Sequence, residues 1–203
     1  MGRLVRLLVL AVAMLSIAEV AYGGQESSAE LKTDKAVLNA VVSLQCQGPD
    51  RGRVMLSSKP SAPDSTKEGP PPPAISNAQM ADLMSRTAGT DALPKGIECP
   101  RVHMVTYAHI KAAFDLPAKH PTQFPVPPGV LIPIGANTAF KDTFPNIGVL
   151  LRLSMPAYSP TKDIAIVYFS EDCGGLCAHG EYVVLWLVKG SWRVTKRVQA
   201  WTS

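Results

Sequence analysis

The sequence predicts an α+β domain: a C-terminal antiparallel β-meander of about four strands, packed against helices drawn from the N-terminal half. Three observations carry this. Apolar residues recur near helical spacing over residues 27–44 and 76–87. From Val149 onward, short apolar runs follow one another through brief links, the order of hairpin-connected strands. Between the halves, residues 117–133 carry Pro117, Pro121, Pro125, Pro127, Pro128 and Pro133, too many for a helix or a central strand. Helices followed by strands, rather than alternating with them, is the α+β order.

The first 23 residues read as an export signal, set apart from the domain. Arg3 and Arg6 make a short positive start, and residues 7–18 are an apolar run in which Ser16 is the one polar member. Ala21-Tyr22-Gly23 then offers small residues where a signal peptidase cuts. The run is about a dozen residues, short of the ~20 that a membrane-spanning helix needs, so no transmembrane anchor is expected after cleavage. Removing residues 1–23 takes Arg3, Arg6 and Glu19 and leaves 180 residues with 18 basic and 15 acidic side chains, a net charge of +3. That length suits one domain, residues 24–203. Lys and Arg form no run, so the electrostatic footprint of a nucleic-acid binder is missing.

Within the mature part, Leu31, Ala36, Leu38, Val41 and Val42 predict a helix over residues 27–44, although residues 40–46 would also serve as a strand. Residues 57–74, rich in proline, serine and charge, predict a disordered or semi-rigid surface insertion. Ser76 or Asn77 can cap the helix of residues 76–87, whose stripe is Met80, Leu83 and Met84. Residues 101–116 predict a strand leading into a short helix that ends before Pro117. Residues 149–153, 164–170, 182–188 and 192–201 predict the four strands, with Lys189-Gly190-Ser191 as a turn. The second and third are apolar throughout, as central strands are. In the fourth, Trp192, Val194 and Val198 should face one way and Arg193, Thr195, Arg197 and Gln199 the other, which suits a sheet margin. The helices should then cover one face.

The last third resembles a group of exported bacterial proteins to which no activity is assigned. The resemblance rests on Phe144-Pro145-Asn146-Ile147-Gly148, on Cys173-Gly174-Gly175-Leu176-Cys177-Ala178-His179-Gly180, on Lys189-Gly190-Ser191-Trp192 and on Trp201-Thr202-Ser203. It covers residues 140–203; glycine is usual in that group where this chain has Ala178. The resemblance implies an envelope location and carries over no catalytic residue.

Four cysteines lie in the mature part, and an even count in an exported chain predicts two disulfides. Of three connectivities, Cys173–Cys177 as a local closure is favoured, which leaves Cys46–Cys99 by elimination. The loop of residues 170–181 is the place for chemistry, because it joins the two most apolar strands. Its first reading is a structural disulfide closing a wide hairpin loop. Its second is a metal site, with Cys173, Cys177 and His179 as ligands and Asp172 or Glu181 as a fourth. A redox-active disulfide is the third, opposed by a three-residue spacer between strands rather than a helix start. An acid/base or ligand site of Glu171, Asp172, His179 and Glu181 is the fourth. His103, His109 and His120 have no carboxylate or cysteine at ligand spacing, and Trp186, Trp192 and Trp201 are expected to pack. No nucleophile elbow, phosphate-binding loop or His-Glu-x-x-His motif is present, and no cofactor is implied. The sequence thus favours a non-catalytic exported module over an enzyme, with an envelope protein, extracellular protein or small ligand as partner. The alternative is a metal-binding or redox-active protein centred on Cys173, Cys177 and His179.

Overall fold

A computed structural model describes residues 28–47, 53–63, 73, 75–97, 99–115, 142–173 and 178–202. The chain divides into two compact units, residues 1–31 and 32–203. Of the first, only residues 28–31 are described, as the opening turn of a helix; the export signal therefore lies outside the described residues. All that follows concerns the second unit.

Among the described residues the fold has four helical segments and seven strands. They are α1 (Ser28–Val42), α2 (Leu44–Gln47), β1 (Arg53–Ser57), α3 (Asn77–Ala88), β2 (Val102–Val105), α4 (Tyr107–Asp115), β3 (Ile147–Leu153), β4 (Ala157–Tyr158), β5 (Ile164–Asp172), β6 (His179–Val188) and β7 (Ser191–Thr202). The strands form one sheet in the order β2-β1-β3-β5-β6-β7, with β4 added to β5. β5, β6 and β7 make the expected antiparallel meander, and β3 pairs antiparallel with β5. The class is α+β, as predicted, but the other half of the sheet departs from a meander. β1 lies between β2 and β3 and runs parallel to both. Parallel neighbours need crossover connections, and the helices α3 and α4 lie on these.

Alternation along the strands divides the core. On one face Val54, Leu56, Leu151, Leu153, Val167, Phe169, Val183 and Leu185 are buried with Val37, Leu38, Val41 and Val42 of α1. On the other, Ile166, Tyr168, Tyr182 and Val184 bury with Leu83 of α3, and Met55 and Leu150 bury with Ile110 of α4. Helices therefore cover both faces, not one. The reason lies in β1, β3 and β5, whose inward and outward residues are both apolar and leave no face fit for water.

α1 buries a stripe at Asp34, Val37, Leu38, Val41 and Val42, each fully buried, at the i, i+3, i+4, i+7, i+8 spacing of a helix face. Ala36, expected on the stripe, is exposed, and a carboxylate takes the stripe's first place. Asp34 accepts 2.8 Å from the Arg86 guanidinium of α3 and 2.6 Å from the Tyr158 hydroxyl of β4. Arg86 also donates to the Pro156 carbonyl and lies over the Tyr158 ring. Both Asp34 oxygens thus have a donor, the condition for burying charge. Burial, with the hydrogen bond to Asp34, holds the Tyr158 phenol well above its ordinary range. α3 begins with a capping box: Ser76 Oγ accepts from Gln79 N–H and Gln79 Oε1 accepts from Ser76 N–H, both at 3.2 Å.

The proline-rich stretch is not a loose insertion at its near end. Ser57 closes β1, Ser58 N–H donates to Val105, Ser61 N–H donates to Leu153, and Pro60 is buried. Residues 64–72 and 74, and the proline connector of residues 117–133, lie outside the described residues.

Two register shifts alter the last strand. Thr195 and Ala200 are skipped in the register with β6 and mark bulges, and the Thr195 hydroxyl donates to the Val184 carbonyl. Each bulge reverses the alternation, so Trp192, Val194, Arg197 and Gln199 share one face while Arg193, Lys196, Val198 and Trp201 share the other. The expected pairing of Val198 with Trp192 and Val194 fails for this reason. The edge position of β7 stands as expected. Gly180 meets a close approach here: a Cβ on it would lie 2.2 Å from Trp201 Nε1 and 2.6 Å from the Tyr168 hydroxyl, which are themselves hydrogen-bonded at 2.8 Å.

Candidate functional site

The β5–β6 register decides what the loop end of the sheet can do. Glu171 pairs with His179, Ser170 with Gly180 and Phe169 with Glu181. Directly opposed residues share a face, and Leu153 opposite Phe169 shows which: it is the face covered by α1. Glu171, His179 and Glu181 therefore stand together. Asp172 pairs with Leu150 on the reverse face, where Met55 and Ile110 lie. The period of two thus separates Asp172 from the histidine with which it was grouped.

Two carboxylates are nearly buried on the shared face, Glu171 at 5% and Glu181 at 7% exposure. Each is engaged. Glu171 Oε1 accepts from the Gln45 side-chain amide, and Glu171 Oε2 lies 4.0 Å from His179 Nδ1. Glu181 accepts 2.7 Å from Arg197 Nε, and the same guanidinium sits over the Phe169 ring at 5.9 Å. The His179 ring stands 6.2 Å from the Phe169 ring, tilted by 44°. Phe169 thus neighbours both the histidine beside Glu171 and the arginine paired with Glu181.

The supports of this cluster come from distant sequence. Gln45 lies in the four-residue helix α2, which is too short to hold a position by itself. It is pinned from both sides: Cys46 is bonded to Cys99, with a Cα separation of 6.2 Å that falls in the ordinary disulfide range, and the Gln45 carbonyl accepts from the Arg101 guanidinium. The pairing Cys46–Cys99 is the one expected. Cys173 is also disulfide-bonded, and the remaining cysteine, Cys177, lies outside the described residues. No cysteine is free among the described residues.

Chemically, an oxidised Cys173 has no thiolate to give to a metal or a substrate. Among the described residues no group of three or more His, Cys, Asp or Glu is placed to hold a metal ion. His103 on β2 is exposed; His109 on α4 is exposed, with its ring edge-on to Phe144 at 6.5 Å, and His120 lies outside the described residues. The Glu171–His179 separation of 4.0 Å exceeds a direct hydrogen bond. Gln45 and Arg101 were not singled out in the sequence, and Arg197 was read only as part of the polar face of the last strand, opposite Trp192 and Val194, with which it in fact shares a face. Only the adjacency of Gln45 to a cysteine hinted at its place, because pairing across the sheet is invisible in linear spacing. No family model, curated protein or solved structure matches this chain.

Proposed function

We propose that the chain is an exported, disulfide-braced domain that works by binding rather than by catalysis, in the cell envelope or outside the cell. The observation that carries this reading is the Cys46–Cys99 bridge, with Cys173 oxidised as well. Such bonds persist in oxidising compartments and are compatible with the export pattern of residues 1–23. The polar cluster supports binding over chemistry because its carboxylates are already satisfied within the protein: Glu181 by Arg197 and Glu171 by Gln45. A general base needs a lone pair aimed at a substrate, and these point at internal donors. The metal or redox alternative on Cys173, Cys177 and His179 loses a thiolate ligand once Cys173 is oxidised.

The test is expression of the full chain in a bacterium, followed by fractionation, intact-mass measurement and thiol titration under denaturation. The expected result is a species outside the cytosol, shorter by the leader, with no titratable thiol. A cytosolic species that keeps its leader and titrates four thiols overturns the reading.

A further inference from the structure

We propose that the tip of the β6–β7 hairpin docks onto an anionic lipid surface, with Trp186, Leu187 and Val188 entering the headgroup layer and Lys189, Arg193 and Lys196 meeting lipid phosphates. This names a partner for the interaction domain proposed above and rests on that reading. Export is tested by fractionation, so a failed lipid experiment leaves the earlier reading standing.

The exposed apolar residues are concentrated in one place. Among the described residues the large hydrophobic side chains left in water are Met84, Tyr107, Trp186, Leu187 and Val188. The last three are consecutive, at 53%, 42% and 37% exposure. They follow six buried residues of the same strand, because the sheet ends beneath them. β5 begins at Ile164, opposite Trp186; beyond it Leu187 N–H still donates 2.8 Å to the Asp163 carbonyl, and Val188 pairs only with Ser191. The apex is the two-residue turn Lys189-Gly190, with φ of 50° and 77°. Two left-handed residues match the twist of the strands and make a tight apex that needs little ordering on docking.

Charge selects the partner. After Glu181 the chain contains no acidic residue, whereas Lys189, Arg193, Lys196 and Arg197 follow. Glu181 engages Arg197, which leaves Lys189 and Arg193 at the tip and Lys196 further back, opposite Val184. The neighbouring turn adds Lys162 and Asp163, which offset one another, and the Asp163 carboxylate accepts from the Ser159 and Thr161 hydroxyls. An exposed tryptophan beside apolar residues and cations is the composition of an interfacial anchor.

Geometry separates this occupant from others. Trp186 and Val188 lie on one face with Arg193 and Lys196, while Leu187 lies on the other with Trp192. A flat partner on either face would leave part of the patch in water; a layer entered from the tip covers both. Trp186 sits two residues behind Val188, about 7 Å along the strand, within the roughly 5–10 Å depth of interfacial burial. Edge-to-edge pairing with a second copy is opposed by the bulges at Thr195 and Ala200 and by like charge along β7.

All three tryptophans of the chain, Trp186, Trp192 and Trp201, lie on this hairpin, so tryptophan fluorescence reports on it alone. The exported form, shorter by the leader, is mixed with vesicles of phosphatidylglycerol and phosphatidylcholine in equal parts, with or without brominated lipid, and with phosphatidylcholine alone. The expected result is a blue shift and bromine quenching that require phosphatidylglycerol and fade with salt. W186S/L187S should lower the partition coefficient at least about tenfold. K189E/R193E should lower it at least about 25-fold, from roughly fivefold per cation. The second pair serves if the first fails to fold. No phosphatidylglycerol-dependent quenching overturns the proposal, and so does quenching that both variants retain. Absence of vesicle binding together with a tip-dependent dimer in light scattering, or tip-dependent binding of a glutamate-rich peptide, also overturns it and reassigns the surface.

Discussion

Replacing both Cys46 and Cys99 by alanine tests how the N-terminal segment is held to the sheet. The bridge joins residues 53 apart in sequence. Closing a loop of that length in the unfolded chain costs about 4 kcal/mol of entropy at 25 °C, which the bridge removes from the folding equilibrium. Direct contacts add little: Cys99 is 9% exposed and Cys46 packs only partly against the core, and alanine keeps most of what they bury. The expected loss is therefore about 4 kcal/mol, within the ~2–5 that native disulfides supply. For a chain of this size that corresponds to a fall in Tm of roughly 8–16 °C. The substitution is preferable to a reductant, which would also open the Cys173 disulfide. Urea unfolding of the oxidised wild type and C46A/C99A, followed by far-ultraviolet circular dichroism, gives both free energies. A loss below about 1 kcal/mol would refute the reasoning, because the two cysteines would then be neighbours by virtue of other contacts.

Three further outcomes follow from buried positions. G180A should lose about 2 kcal/mol by overpacking, because its Cβ would fall 2.2 Å from Trp201 Nε1; an unchanged urea midpoint would contradict that geometry. R86A should lose about 3–4 kcal/mol, because it strips a fully buried Asp34 of its guanidinium; thermal unfolding within 2 °C of wild type would show, by the conversion of about 2–4 °C per kcal/mol, that Asp34 is reached by water instead. Burial and Asp34 raise the folded-state pKa of Tyr158, so the neutral phenol stabilises the fold fully below the ordinary tyrosine pKa of about 10, and that contribution is lost as pH climbs beyond it. Stability of the wild type should therefore fall above about pH 10 more steeply than that of Y158F, and parallel alkaline profiles would exclude the effect.

Strong periodicity was legible wherever the local pattern matched the final burial. The 76–87 helix, its Ser76 cap, the apolar centre of β5 and the edge position of β7 could all be read from neighbouring residues. β1 was not, because five residues between proline-rich and polar segments carry little pattern, and its parallel partners lie some fifty and ninety residues away. Asp34 was passed over because a charge on a helix stripe reads as solvent-facing until Arg86 and Tyr158 arrive from elsewhere. The tip of β6 was misjudged for the opposite reason. Trp186, Leu187 and Val188 look like core, yet they run alongside and past the first residue of β5 and stand exposed. The residues of the candidate loop were grouped by nearness in sequence. The sheet sorts them by face, keeps His179 with Glu171 and Glu181, and sends Asp172 to the reverse side.

The sequence by itself determined the α+β class, the helical and strand segments with strong local period, and the number of sulfurs available for cross-linking. These depend on interactions between residues a few positions apart, which spacing records directly. Only the tertiary structure decided the parallel half of the sheet, the covering of both faces, the Asp34–Arg86–Tyr158 group, the bulges of β7 and the Gln45 support beneath Glu171. Each of these is a meeting of residues far apart in the chain, fixed by which surfaces remain to be buried once the local elements have formed.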